Sequence, residues 1–388
     1  MYMRKIAVVS ATRAEWYLLK NLCYEIEKDE DLSLQLFVSG THLSKDFGLT
    51  YKEIQKEFKI SKKIKILSKK NDSPALCKSL SKTISKFSKV FAKFKPDIVV
   101  ILGDRYEMLG VASAALLMRI PIAHICGGEL TLGAIDDSIR HSISKMASLH
   151  FVSTNTYRKR VLQLGEQEDR VFTVGSLGAE NIARMNFLSK EELEKELKLR
   201  FEKRIFLITY HPQTLNLKDT KRDLELLLAF LEKQKDTSLI FTKANADENG
   251  ALINKIIAKF TQKHKNAKLF DNLGSLRYLS LMKIADIVLG NSSSGILESP
   301  FFKTPCINIG LRQAGRLRAA NIIDCEITEL EKAYKKAMSK EFKLSLKSFE
   351  NPFFHKDTSY QIKTVLKNVN LDTILYKNFV DLKWTLKE

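Results

Sequence analysis

Short β-branched apolar runs alternate along this chain with longer stretches in which apolar residues recur every three or four positions. That alternation predicts βαβ units around parallel sheets, since parallel neighbours need a crossover, usually a helix. In the first half the runs Lys5–Val9, Ser33–Val38, Asp97–Leu102, Pro121–Ile125 and Leu149–Val152 read as strands. Helical patterns lie between them near Glu15–Glu27, Pro74–Lys93, Tyr106–Met118, Asp137–Ala147 and Thr156–Leu164. The pattern then restarts, with strands at Ile205–Tyr210, Ser238–Phe241, Lys268–Phe270, Ile287–Leu289 and Cys306–Ile309. Its helices fall near Asp219–Lys233, Glu248–Lys263, Leu276–Ile284 and Ser294–Phe301. Two such series predict an α/β chain of two Rossmann-like domains, with a break between Val171 and Arg204. Leu188–Lys203, rich in Lys and Glu, reads as a helix leading into the second domain, and Tyr360–Glu388 as terminal helices. The expected boundaries are 1–175, 176–360 and a helical tail, 361–388.

Composition agrees with this organisation. A chain of 388 residues, 44% hydrophobic, is long enough for two cores and too apolar to be disordered. Its net charge of +19 has two readings. Many lysines lie in helical runs such as Lys82 to Lys95 and Lys332 to Lys340, which favours a solvated surface. The other reading is an anionic partner. Nucleic acid is not expected, because no zinc-finger, helix-turn-helix or aromatic RNA-binding signature accompanies the charge. Five scattered cysteines without a C-x-x-C pair indicate a reduced, cytoplasmic chain. The first apolar run is only Ile6 to Val9 before Arg13 and Glu15, so it reads as a strand rather than a signal peptide. No run approaches the ~18 apolar residues that a membrane span needs, so no membrane contact is expected.

Four segments between Gly103 and Gly295 carry the candidate chemistry: Gly103–Glu107, Gly127–Glu129, His211-Pro212 and Asn291–Gly295. Each joins a turn-forming Gly or Pro to a charged, hydroxyl or imidazole group at the end of an apolar run, which is where α/β sheets bind ligands. Two fall in each half, so a ligand touched by all four is expected between the domains. Asp104 and Arg105 either pair structurally or face that ligand, Asp104 for proton transfer or sugar binding and Arg105 for phosphate. Glu129, Asp136 and Asp137 crowd near a helix start, followed by Arg140 and His141. Crowding pushes carboxyl pKa values apart, which suits one to donate and another to accept a proton, although one of Asp136 and Asp137 also suits a helix cap. His211 stands at a strand tip, a favoured place for a group that titrates near neutrality. Ser292 and Ser293 suit a phosphate cradle, and Glu298 suits ribose hydroxyls or plain solvent. Arg312, Arg316 and Arg318 follow the next strand, and their planar forks suit phosphate. After the first strand, either Thr12 caps a helix with Arg13 facing water, or Arg13 meets an anion there. No ligand spacing argues for a metal, and no Walker motif is present.

Together these segments resemble the hydrolysing UDP-N-acetylglucosamine 2-epimerases of bacterial sialic acid biosynthesis. The resemblance runs from Arg4 to about Asp324. It also takes in Ser10–Glu15, Gly40–Leu43, Asp136 to Lys145, Arg158–Gly165, Gly175–Asn181, Asn245-Ala246-Asp247, Gly290–Glu298 and Asn308–Arg318. It implies two Rossmann-like domains facing across a cleft, as in glycosyltransferases of type B, with C-terminal helices that can cross back to the first domain. It implies a nucleotide-sugar substrate, no metal or redox cofactor, and a homo-oligomer, dimer or tetramer. In the implied reaction UDP-N-acetylglucosamine and water give N-acetylmannosamine and UDP, by elimination to a glycal and rehydration. Carried over by motif, Arg13, Arg105, Ser292, Ser293, Glu298 and Arg312 resemble nucleotide-binding residues. Asp104, Glu129, Asp136, Arg140 and His211 fall where acid–base and sugar contacts are expected.

One departure stands out. Much of the wider family has Glu where this chain has Cys126, so Glu129 or Asp104 must take the base role. A related branch runs the same chemistry on UDP- or GDP-linked N,N'-diacetylbacillosamine, towards legionaminic acid, and is the alternative substrate reading. A glycosyltransferase of the same architecture and a non-catalytic nucleotide-sugar binder are the competing classes.

Overall fold

A strand whose successive residues must enter two different cores has to be apolar throughout, and the central strands of this chain are. The computed structural model describes residues 3–68, 72–132, 135–212, 217–244 and 250–381. It divides into two units, one of Met1–Leu130, Ala134–Asn181 and Phe353–Glu388, the other of Thr131–Gly133 and Ile182–Pro352.

Unit 1 holds a seven-stranded parallel sheet built from β1 (Arg4–Ser10), β2 (Leu32–Ser39), β3 (Ile60–Ile64), β4 (Ile98–Leu102), β5 (Ile122–Ile125), β6 (Leu149–Val152) and β7 (Val171–Thr173). The strand order is β3-β2-β1-β4-β5-β6-β7. Ile6 and Val8 of β1 enter one core with Ile98 and Val100 of β4, while Ala7 and Val9 enter the other with Val99 and Ile101. Alternate side chains leave opposite faces of a strand, so helices covering both faces account for the unbroken apolar runs. Each such buried Ile or Val side chain contributes about 1.5–3 kcal/mol.

Unit 2 repeats the plan with β8 (Arg204–Thr209), β9 (Thr237–Thr242), β10 (Ala267–Phe270), β11 (Ile287–Gly290), β12 (Cys306–Ile309) and β13 (Ile322–Cys325), in the order β10-β9-β8-β11-β12-β13. Phe206 and Ile208 face one core, and Ile205 and Leu207 the other. These are two Rossmann-like α/β domains. In unit 1 the strand order reverses between β1 and β4, and in unit 2 between β8 and β11.

Three strands escape the hydrophobic pattern: β3, β7 and β13. All three are sheet edges, where a strand is only partly covered and lysines or an aspartate are tolerated. The helix expected over Ser294–Phe301 is two short helices, Ser293–Leu297 and Ser299–Phe302, separated at Glu298, where Pro300 cannot continue the hydrogen-bond ladder. Of the expected helical tail, the described part is helical over Thr358–Asn368 and carries no helix over 369–381, while 382–388 lie outside the described residues. This segment belongs to unit 1. Ile362, Leu366 and Ile374 enter its core, Thr358 Oγ1 donates to Val174 O at 2.7 Å, and Lys363 pairs with Asp29 at 2.9 Å. The Asn245-Ala246-Asp247 segment lies outside the described residues. Among the described residues, no helix is long and apolar enough to cross a membrane.

Candidate active site

Strand tips at a reversal of strand order leave a crevice, because the crossover helices on the two sides depart in different directions. In unit 1 the tips of β1 and β4 carry Ala11–Glu15 and Gly103–Glu107. Thr12 caps the helix Arg13–Glu27 through a reciprocal box: its Oγ1 accepts from Glu15 N at 3.3 Å, and Glu15 Oε2 accepts from Ala11 N at 2.6 Å and Thr12 N at 3.2 Å. The chain's own carboxylate therefore occupies the anion position at this helix start. Arg13 is exposed and lines a cavity of about 910 Å³, which Thr41, Lys65 and Arg105 also border.

Glu15 is 5% exposed, and burial pushes its carboxyl up to about 7. Arg105 Nε lies 3.8 Å from its Oε1. Arg105 does not pair with Asp104 as adjacent charges suggested. It grips Glu107 instead, through Nη2 at 2.9 Å and Nε at 3.2 Å.

Asp104 is held by Arg140, which lies 36 positions later on the helix Ile135–Met146. Arg140 is buried and acts as a hub. It donates to the Asp104 carboxylate, to Glu129 O at 2.8 Å and to Asp137 Oδ1 at 3.3 Å. One side chain thus ties the β4 tip, the Gly-Gly-Glu turn and a helix start together. Charge-assisted bonds of this kind are short and about twice as strong as neutral ones. Burial raises the Asp136 carboxyl, with Arg105 opposing and Glu107 adding to the shift. The turn itself is tight. Gly128 has φ +77°, and a Cβ there would collide with the carbonyl oxygen of Tyr157. Cys126 also sits at a positive φ, +70°, a conformation that side chains adopt at a cost.

Unit 2 is organised differently. The side chain of Asn291, at the β11 tip, accepts from His211 N at 2.7 Å and donates to His211 O at 2.9 Å, spanning the reversal between β8 and β11. The Asn291 carbonyl accepts from Arg312 Nη1 at 3.1 Å and Gln313 Nε2 at 2.9 Å. Gly290 must be glycine: φ is +133°, and a Cβ would strike the carbonyl oxygen of Thr209. Ser292 caps the short helix that begins at Ser293, and Ser294 Oγ lies 2.6 Å from Tyr278 OH. Burial pushes the Glu298 carboxyl, at the end of that helix, up to about 7. Arg318 does not join the serine turn; it pairs with Asp324 at 2.8 Å.

Unit 1 therefore gathers Arg13, Asp104, Arg105, Glu129, Asp136 and Arg140 around one strand-order reversal. Unit 2 gathers His211, Ser292, Ser293, Glu298 and Arg312 around another. Sequence reasoning quoted Glu15 and Asn291 within its motifs but gave neither a role: the cap hides the burial of Glu15, and the partner of Asn291 lies 80 positions away. Among the described residues, no group of three or more His, Cys, Asp and Glu side chains could hold a metal ion.

A sequence profile of the family described as "UDP-N-acetylglucosamine 2-epimerase" matches residues 24–367. This chain belongs to that family. The match passes Asp324, where the motifs fade, and reaches the helix that returns to unit 1. One relative in the 2-epimerase family, the GDP/UDP-N,N'-diacetylbacillosamine 2-epimerase (hydrolyzing) of Campylobacter jejuni subsp. jejuni serotype O:2, is 65% identical over 98% of this chain and 100% of its own length. The polysialic acid biosynthesis protein P7 of Escherichia coli is 35% identical over 98% of each chain. Among solved structures, the 2-epimerase from Neisseria meningitidis bound to UDP-GlcNAc superposes with a TM-score of 0.79, over 94% of this chain and 100% of that one. At 20% identity that likeness speaks for the fold alone.

Proposed function

We propose that this chain is a hydrolysing 2-epimerase acting on GDP- or UDP-linked N,N'-diacetylbacillosamine, releasing the free 2-epimeric sugar and the nucleoside diphosphate. The observation that supports the chemistry is the carboxyl-rich tip of unit 1, where Asp104 is held by the buried Arg140 and burial raises Asp136. A carboxylate held by an arginine near a carboxyl raised by burial suits proton removal followed by proton return. In the first step a carboxylate, Asp104 or Glu129, takes the C2 proton. The C–H pair becomes the C1–C2 double bond, and the C1–O bond breaks towards the diphosphate. Charge on that leaving group suits the arginines Arg13 and Arg105 in unit 1 and, taken by themselves, Arg312 and the Ser292–Ser293 turn in unit 2. Water then adds at C1 while Asp136 or His211 returns a proton to C2 from the opposite face. On this reading most of the acid–base carboxyls belong to unit 1, and Glu298 of unit 2 suits ribose hydroxyls.

The substrate order reverses the expectation from motifs, which put N-acetylglucosamine first. The support for diacetylbacillosamine is the 65% identity along the whole length to the Campylobacter enzyme. Cys126, standing where much of the family has Glu, agrees with a changed sugar. The second reading, UDP-N-acetylglucosamine, is favoured by the description of the family whose profile matches residues 24–367. The same reading makes the protein a cytoplasmic homo-oligomer, which light scattering tests.

An NMR time course in D₂O without acceptor, on all three nucleotide sugars, decides between them. The expected result is free sugar carrying deuterium at C2, formed at least about tenfold faster from a diacetylbacillosamine nucleotide, a gap of about 1.4 kcal/mol in transition-state binding. A nucleotide-linked epimer as the only product would rule out hydrolysis. A preference for UDP-N-acetylglucosamine would install the second reading.

A further inference from the structure

Asp104 and Arg140 stand on different elements, so something must keep those elements in register. His124, in the third position of β5, is fully buried and touches both. Its Nε2 lies 2.8 Å from the carbonyl oxygen of Gly103, the residue before Asp104, and its Nδ1 lies 3.1 Å from Ser144 Oγ. Ser144 follows Arg140 by one helical turn, so the two share a helix face, and both are buried. A carbonyl oxygen can only accept, so Nε2 must carry the proton. Burial pushes the His124 pKa down to about 4, which keeps the ring neutral and leaves Nδ1 to accept from the Ser144 hydroxyl. Gly127 closes over this contact: a Cβ there would lie 2.9 Å from Ser144 Oγ and 3.4 Å from His124 Nδ1. The first glycine of the Gly-Gly pair is thus small because the histidine–serine contact lies beneath it.

We propose that His124 is a positioning residue, a neutral Nε2–H imidazole that clamps the Gly103–Asp104 peptide to the helix bearing Arg140 and so sets the geometry of the Asp104–Arg140 pair. The inference rests on the reading of Asp104 as a reacting group. It adds a residue that never meets the sugar, yet governs how fast the C2 proton moves.

The test uses the full chain and three variants. His124→Leu removes both bonds. His124→Gln offers an amide N–H within reach of the Gly103 carbonyl. Ser144→Ala spares the Gly103 bond. On a nucleotide sugar that the wild type hydrolyses, His124→Leu should lower kcat about 100-fold with KM within about threefold, as small misplacements of reacting groups do. His124→Gln should restore kcat to only about a tenth of wild type, and Ser144→Ala should leave about a fifth. UDP affinity should not change. Gln no better than Leu, or a loss carried by KM, overturns the proposal. So does wild-type kcat in both His124→Gln and Ser144→Ala, which remains decisive if His124→Leu fails to fold. A readout independent of turnover is the ¹⁵N spectrum of the histidine rings, where a His124 protonated at Nδ1 also overturns it. Wild-type inactivity on every nucleotide sugar would instead sink the functional reading, and the ring spectrum would still judge the clamp.

Discussion

The two sheets share a strand order around their reversal points, but the chemistry placed there differs. The unit 1 tip is ionic: Arg140 binds Asp104 and Asp137, and Arg105 binds Glu107. The unit 2 tip is mostly neutral. The Asn291 amide, the His211 backbone, the Ser292 cap and the Tyr278–Ser294 contact form it, with Arg312 as the cation on the Asn291 carbonyl. A βαβ sheet decides where a site lies, and the side chains at the tips decide what it does. Carboxyls gathered among arginines, with Asp136 raised by burial, suit proton traffic. Preorganised amides and hydroxyls suit a ligand that brings its own charge.

If that contrast is right, the tips should fail in different ways. Asp104→Asn should lower kcat by roughly 10³-fold, within the range for a lost acid–base group, with UDP binding and melting temperature near wild type. Retention of a tenth of the activity would remove Asp104 from proton transfer and break the contrast on the unit 1 side.

The next effect is on stability and tests a feature the two tips share. Glu15 and Glu298 both have carboxyls raised to about 7 from 4.5. Between those values the folded chain holds more protons than the unfolded one, so stability falls as pH rises from 4.5 to 7 and the loss is complete above 7. Glu15→Gln keeps the cap's acceptor oxygen and removes that titration. It should flatten the slope of stability against pH in this window, by at most about 3 kcal/mol. Denaturant unfolding at several pH values measures it, and parallel slopes for variant and wild type would refute it.

Asn291→Ala leaves a buried N–H and C=O of His211 without their partners, which costs about 2 kcal/mol and loosens the serine turn. The expected readout is a lower melting temperature with weaker UDP binding. Full UDP affinity would detach Asn291 from the nucleotide site. Arg312→Ala is the mildest change: about tenfold weaker UDP binding with the fold retained, consistent with one charge-assisted bond lost. Calorimetry showing unchanged affinity would leave unit 2 without its expected cation.

Several of these residues were visible before the structure. An apolar run ending in Gly103-Asp104-Arg105, or in Gly290-Asn291-Ser292, marks a buried strand tip whatever its partners. Partner choice was not visible. Adjacency suggested Asp104 with Arg105, but the fold pairs Asp104 with Arg140 and Arg105 with Glu107. Arg318 looked equivalent to Arg312, yet Asp324 holds it. The edge strands β3, β7 and β13 went unseen because partial cover relaxes the demand for apolar residues.

By itself the sequence determined two parallel sheets, their central strands and the turns that end them, because burial on both faces and the need for tight turns are local demands written in consecutive residues. Only the tertiary structure decided which carboxyl meets which arginine, that His124 lies between Gly103 and Ser144, and that the returning helix joins unit 1. Those contacts join residues tens to hundreds of positions apart, and direction and distance in space, rather than order along the chain, set their energies.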